Sequence, residues 1–360
     1  MPATPLNQKL LAAGATPGEY RGVETPARFS DNGAAFRTLT AACGIYDLGW
    51  RAKIIVTGSH RHRWLNGMVT NNIKDLPVSR GNYNFLLNPQ GRIQGDLYVY
   101  NRGDSLLIDT DHFQLEGMLK LLKRYIIMDD VQLTDASDKI TAIGVQGPKS
   151  RQVLQNAGIH VTELERMQVA EVNCQNTEIS IVRTSDDDRE AFELWASVEN
   201  VQNVWDALIK AGATPVGAEA IEQFRIVTGV PRYGVDIRER DLPQETEQAD
   251  ALNFTKGCYI GQEIVERIRS RGSVHRTFRR FSFAGEPPLP GVKLQADGKE
   301  VGEITSVTRL PEVNESVQRV LGLGYIRKEA LQGGARIQYA GGEARPEEIH
   351  LSTTLGQSHA

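Results

Sequence analysis

The sequence predicts an α+β fold that ends in a small β-barrel or sandwich. Strand-like and helix-like segments alternate without the regular βαβ rhythm of a doubly wound sheet. The composition changes sharply at Ala284-Gly-Glu-Pro-Pro-Leu-Pro-Gly291, where three prolines in four positions exclude continued helix or inner strand and mark a nearby module boundary. Beyond it lie short strands with glycine-rich turns, a unit of about 75 residues. The 360 residues suffice for two or three domains at about 100–200 residues each.

Along the chain, Ala52-Lys-Ile-Ile-Val-Thr-Gly58 is β-branched and ends at glycine, a strand, and Ser59 is placed to cap a helix running to Val69. Strands at Asn82–Asn88, Ile93–Tyr100 and Ser105–Thr110, separated by turn residues, predict an antiparallel meander. Leu115, Met118, Leu119 and Leu122 share one face of a helix expected over Phe113–Ile127. Strands at Val131–Thr134 and Ile140–Val145 lead to Pro148, in the first turn of a helix. Strands at Glu178–Thr184 and Ala191–Ser197 precede helices over Val201–Ala211 and Ala218–Val227. The last unit holds strands at Val292–Leu294, Glu300–Arg309, Gln318–Ile326 and Arg336–Tyr339.

With 45 acidic and 41 basic residues the net charge is −4, which argues against a surface given over wholly to nucleic acid. No apolar run approaches the roughly 18–20 residues of a membrane span, and residues 1–29 carry no signal-type apolar core. Cys43, Cys174 and Cys258 supply neither a disulfide framework nor metal-ligand spacing. A soluble, cytoplasmic protein without a membrane partner or bound metal is expected.

Lys256-Gly-Cys-Tyr-Ile-Gly-Gln-Glu263 is the most distinctive stretch. A helix opening near Gly261 sets Cys258 just outside its N-terminus, two residues from Lys256; both features favour thiolate. The residues leave open a reactive or ligating thiol and a small buried hydrophobe, whereas Cys43 and Cys174 read as packing residues. Arg267, Arg269, Arg271, Arg276, Arg279 and Arg280, with His275, form either an anion or RNA contact or a solvated face. Asp96 and Glu193 sit in strands among apolar neighbours, and alternation alone does not say whether they face solvent or need a partner. Gly144-Val-Gln-Gly-Pro148 reads as a tight turn more readily than as an anion cradle.

Taken in order, Gly44–Leu48, Tyr83–Asn88, Gly91–Tyr100, Gly147-Pro148, Phe192–Leu194, Tyr233-Gly234 and Val301–Ser306 resemble the aminomethyltransferase (glycine-cleavage T-protein) superfamily over almost the whole chain. The segment Lys256–Glu263 is similar to the YgfZ-type folate-binding branch, which resembles a mitochondrial factor that helps mature iron–sulfur proteins. The resemblance implies a folate-binding domain over 1–275, built of one module from 1–50 with 141–275 and another from 51–140. A β-barrel over 276–355 follows, its end overlapped by a polar tail over 341–360. It implies three modules in a ring with tetrahydrofolate, or a one-carbon derivative, in a central channel. Glu193 matches the carboxylate that reads the pterin's 2-amino and N3–H donors, a task suited to two acceptor oxygens. Asp96 matches the acid near the reactive folate nitrogens, Tyr83 and Arg225 match residues that line the pocket, and Asp109 stands where an asparagine would help hold the pterin. Ser185-Asp-Asp-Asp-Arg-Glu190 replaces the glycine-rich loop of the transferases.

The resulting expectation is a tetrahydrofolate-binding accessory protein supporting iron–sulfur cluster assembly or repair, felt through tRNA-modifying cluster enzymes. Cys258 is its key residue, Lys256 is expected to act with it at the catalytic site, and iron–sulfur proteins are its clients. The alternatives are a folate-dependent aminomethyltransferase or other one-carbon transferase with Asp96 as the acid–base group, and an RNA-binding module using Arg267–Arg280.

Overall fold

The computed structural model describes residues 2–161, 163–184, 190–310 and 319–348. The chain divides into two compact units, Met1–Asn84 with Leu97–Ile221, and Phe85–Asp96 with Glu222–Ala360.

The first part of the chain holds α1 (Asn7–Ala12), the hairpin β1 (Thr16–Tyr20) and β2 (Val23–Arg28), α2 (Asn32–Ala41) and β3 (Gly44–Asp47). There follow β4 (Arg51–Thr57), α3 (Arg61–Met68), β5 (Gly81–Leu87), β6 (Ile93–Asn101), β7 (Leu106–Asp111), α4 (Leu115–Lys123) and β8 (Gln132–Asp135). Next come β9 (Ile140–Gln146), α5 (Ser150–Asn156), β10 (Val169–Cys174), β11 (Thr177–Arg183) and β12 (Ala191–Ser197). Then α6 (Val201–Lys210), β13 (Thr214–Pro215) and α7 (Ala218–Thr228) lead to the second unit. Two sheets result, one ordered β10-β11-β12-β9-β3-β13 and one ordered β5-β6-β7-β4-β8. The predicted meander is β5, β6 and β7. Ile45, Ile143, Ile181 and Leu194 of the first sheet form one core with Leu10, Leu154 and Leu208. From the other face of that sheet, Ala142, Val182 and Trp195 pack with Tyr100 and Leu107 of the second sheet and with Trp50 in the turn before β4.

Two local expectations are corrected. Ser59 does not cap α3: His60 takes that position, and the Ser59 hydroxyl donates to Asp130 Oδ2 at 2.6 Å. The helix expected to reach Ile127 ends at Lys123, because its apolar face (Leu115, Met118, Leu122) runs out there. The proline-rich segment, read as lying near a module boundary, links two strands of the barrel, the first of which begins at Arg276.

In the second unit α8 (Gln262–Arg271) precedes β14 (Arg276–Gly285), β15 (Lys293–Ala296), β16 (Lys299–Arg309), β17 (Val320–Arg327), α9 (Lys328–Gln332), β18 (Ile337–Tyr339) and β19 (Gly342–Glu347). The strands close a barrel in the order β14-β17-β16-β15-β18-β19 around Phe281, Leu294, Ile304 and Ile326. β19, the opening of the stretch read as a polar tail, is the closing strand; residues 349–360 lie outside the described residues. The β5–β6 hairpin tip belongs to this unit: Gly91 has φ +70, and a Cβ there would lie 2.8 Å from Ile264 Cβ. Gly261, at φ +83, would bring a Cβ within 2.6 Å of the Asn88 carbonyl oxygen. Both glycines are therefore required for the hairpin tip to meet the start of α8.

Candidate functional site

In the first unit two cross-strand rows carry the chemistry. On one sheet Tyr98, Asp109 and Lys53 are register partners across β6, β7 and β4; one step along, Asp111 faces Arg51. β7 is buried at every residue and β4 is exposed at none, so charged side chains there must find partners inside. They do: Lys53 Nζ lies 2.9 Å from Asp109 Oδ2, and Arg51 reaches Asp109 at 2.8 Å and Asp111 at 2.6 Å. Arg21 Nη1 donates to both oxygens of Asp111, at 2.7 and 2.6 Å. Three cations thus face two carboxylates, and the two guanidiniums hold the Asp111 carboxyl below its ordinary range against burial, which raises it.

The other sheet supplies the row Tyr46, Gly144, Glu193. A Cβ on Gly144 would lie 2.2 Å from the Tyr46 ring, so only glycine admits that ring beside the carboxylate. Glu193 accepts from Trp195 Nε1 at 2.9 Å through Oε2; among the described residues Oε1 accepts no hydrogen bond. Burial, followed by the Asp109 charge, pushes the Glu193 carboxyl above its usual range; Lys53, Arg51 and the Trp195 N–H pull the other way. Aromatic rings crowd the same face. Tyr83 and Tyr98 sit 4.9 Å apart, Tyr100 and Trp195 4.8 Å apart, and Lys53 Nζ lies 5.0 Å from the Trp195 ring centre. The arrangement is a partly exposed carboxylate with one free oxygen, set among flat rings and an excess of positive charge.

The sequence-predicted residues separate accordingly. Glu193, Asp109 and Tyr83 lie in this unit, with Asp109 committed to Arg51 and Lys53. Asp96 lies in the second unit, half-buried on β6; with burial and with Glu239 it raises the Tyr233 hydroxyl. Arg225, expected to line a pocket, is buried with all five N–H donors taken: Glu222 accepts two, and Asp236, Ser306 and the Val230 carbonyl one each. It retains no donor for a ligand. Cys258 is exposed, and Gly261 does stand at the N-cap of α8. Lys256, however, is buried with Nζ 4.9 Å from the Tyr259 ring centre, and burial brings its ammonium down to about 7. Its support for a thiolate is thus weaker near neutral pH than its position in the sequence implies. Cys43 and Cys174 are buried, and burial pushes both thiols up.

The arginine run is largely neutralised. Arg267 pairs with Glu263, Arg269 with Glu266, Arg276 with Asp241 and Glu245, Arg279 with Glu247, and Arg280 with Glu347. Gly144–Pro148 is the end of β9 and a turn at Gly147, where a Cβ would meet the Ala42 carbonyl oxygen at 2.3 Å. The replaced loop, residues 185–189, lies outside the described residues. Sequence reasoning missed Lys53, Arg51, Asp111 and Arg21. The available signal was the matched spacing of Arg51 with Lys53 and Asp109 with Asp111, since i,i+2 pairs on antiparallel strands meet on one face.

A mixed α/β body with a closed C-terminal six-stranded barrel is the fold of the glycine-cleavage T-protein. The glycine cleavage system aminomethyltransferase T from Bartonella henselae matches it with a TM-score of 0.85 at 20% identity, over 96% of both chains. Residues 6–256 match the GCVT N-terminal domain, and the chain belongs to that family. Among its relatives, an aminomethyltransferase from Herpetosiphon aurantiacus is 27% identical over 344 residues, 94% of this chain and 93% of that one. Another, from Staphylococcus saprophyticus, is 25% identical over 93% of this chain and 92% of its own. Among the described residues no helix is long and apolar enough to cross a membrane.

Proposed function

We propose that this protein binds tetrahydrofolate, with Glu193 accepting hydrogen bonds from the 2-amino and N3–H donors of the pterin. The free Glu193 Oε1 carries this reading: a half-buried carboxylate short of one partner, beside Lys53 and Arg51, gains most from a ligand that presents N–H groups. The rings of Tyr83, Tyr98 and Trp195 suit a flat heteroaromatic. Calorimetry with tetrahydrofolate on the wild type and on Glu193→Gln tests it; equal affinity of the two removes Glu193 from the site.

Two uses of the bound folate have support. The names of the relatives, matched over more than nine-tenths of the chain, favour aminomethyl transfer; the acid–base group that the family resemblance offers for it is Asp96. The exposure of Cys258 in Lys256–Glu263 favours the YgfZ-type accessory role in iron–sulfur protein maturation, which needs an accessible thiol. Folate-dependent turnover that survives Cys258→Ala but not Asp96→Ala supports transfer. Loss of cluster-enzyme activity in cells carrying only Cys258→Ala supports the accessory role.

A further inference from the structure

The turn between α4 and β8 holds two large apolar side chains out in water: Ile127 is 82% exposed and Met128 92%. The turn is braced. The N–H groups of Tyr125 and Ile126 donate to the Leu122 and Lys123 carbonyls, and Trp64 Nε1 donates to the Tyr125 carbonyl. On the far side Arg63 pairs with Asp129, while Ser59 holds the Asp130 carboxylate. The apolar pair is therefore presented by a fixed turn rather than left by a loose one.

Beside it stand Lys120, Lys123 and Arg124, all exposed, at the C-terminal end of α4. Among the described residues their side chains make no ion pair or hydrogen bond, whereas five of the six arginines in Arg267–Arg280 have carboxylate partners. Next to the apolar tip these three unpaired cations outnumber the exposed Glu116 and Asp130 carboxylates, which leaves a net positive patch. We propose that this tip docks reversibly on an anionic lipid surface, with Ile127 and Met128 entering the interface and Lys120, Lys123 and Arg124 meeting headgroup phosphates.

Charge complementarity selects an anionic partner, and the protruding tip selects a bilayer over an acidic protein. A bilayer accepts two projecting side chains without a matching notch. Two apolar residues with three cations give weak, salt-sensitive association, well short of a permanent anchor. Hydropathy over a spanning window overlooks a two-residue tip, and the expectation of no membrane partner rests on that window; the proposal departs from it.

Vesicle co-sedimentation of the full-length protein tests the proposal, using phosphatidylcholine alone and phosphatidylcholine with one-third phosphatidylglycerol. We expect at least about tenfold stronger partitioning to the anionic vesicles, lost at high salt. The double substitutions Ile127→Glu/Met128→Glu and Lys123→Glu/Arg124→Glu should each reduce it by about tenfold with an unchanged unfolding midpoint. Glu193→Gln should leave it unchanged, so failure of the folate reading is separable. No co-sedimentation at low salt, equal partitioning to neutral vesicles, or indifference to both double substitutions overturns the proposal; so does a patch-dependent complex with an acidic protein in place of lipid binding.

Discussion

Lys53 and Asp109 form a buried ion pair at 2.9 Å, on paired strands, with neither side chain more than 1% exposed. Such a pair is weak evidence for stability, but breaking it is costly because it strands a charge in the interior. Lys53→Met should lower unfolding free energy by about 3–5 kcal/mol. Adding Asp109→Asn should restore part of that loss. Denaturant titration of the single and double variants checks both, and a near-neutral Lys53→Met shows that Arg51 alone compensates Asp109.

Glu193→Gln places an NH₂ donor where an acceptor stands. If Glu193 reads the pterin, tetrahydrofolate affinity should fall by about 2–4 kcal/mol, some 30- to 1000-fold. The wild type should also bind more weakly in acid. Its carboxyl is raised by burial in the free protein, and ligand N–H donors favour the ionised form. Affinity should therefore climb with pH through that raised value and level off above it. Calorimetry between about pH 4.5 and 8 reads the rise, and Glu193→Gln should flatten it.

Lys256 offers a stability test with the opposite origin. Its folded-state value is about 7 against an ordinary 10.5, so between these the unfolded chain binds the extra proton and stability grows with pH. The slope should approach about 1.4 kcal/mol per pH unit at most, and vanish below about pH 7. Lys256→Met should remove this component; an unchanged slope in that variant assigns it to other groups.

Arg225→Met should unfold the protein more easily, by about 3–5 kcal/mol, because Asp236 and Glu222 lose their guanidinium partner. The folded fraction should still bind folate. Retained stability with lost affinity returns Arg225 to the ligand site that the family resemblance implied.

Graded iodoacetamide followed by peptide mapping should label Cys258 before Cys43 and Cys174, since only Cys258 is exposed. Equal labelling of all three in the native protein contradicts the burial of the other two.

Strands and helices with a one-sided apolar pattern were legible in the sequence: Ala191–Ser197 emerges with the expected bounds, and α6 and α7 within one residue of theirs. The hairpin β1–β2 and helices α1 and α2 were not read, since Thr16–Arg28 carries prolines and glycines that mask its pairing. At the site, Glu193 was visible only through family likeness. Its ambiguity, solvent or partner, depended on β4 and β7, more than eighty residues upstream. Alternation within one strand does not show what another sheet brings to it. Lys256 failed differently: sequence proximity to Cys258 was read as charge, while burial decides how much charge remains.

The hairpin tip Phe85–Asp96 belongs to the same compact unit as Glu222–Ala360, although more than a hundred residues separate them in the chain. During synthesis this piece leaves the ribosome long before the helix whose glycine it meets at Asn88. The barrel-bearing unit must therefore wait for a distant partner already made, and closing so long a loop slows its completion. A gene fragment beginning at Glu222 lacks that partner and should express poorly, whereas supplying the hairpin on a short linker should rescue it.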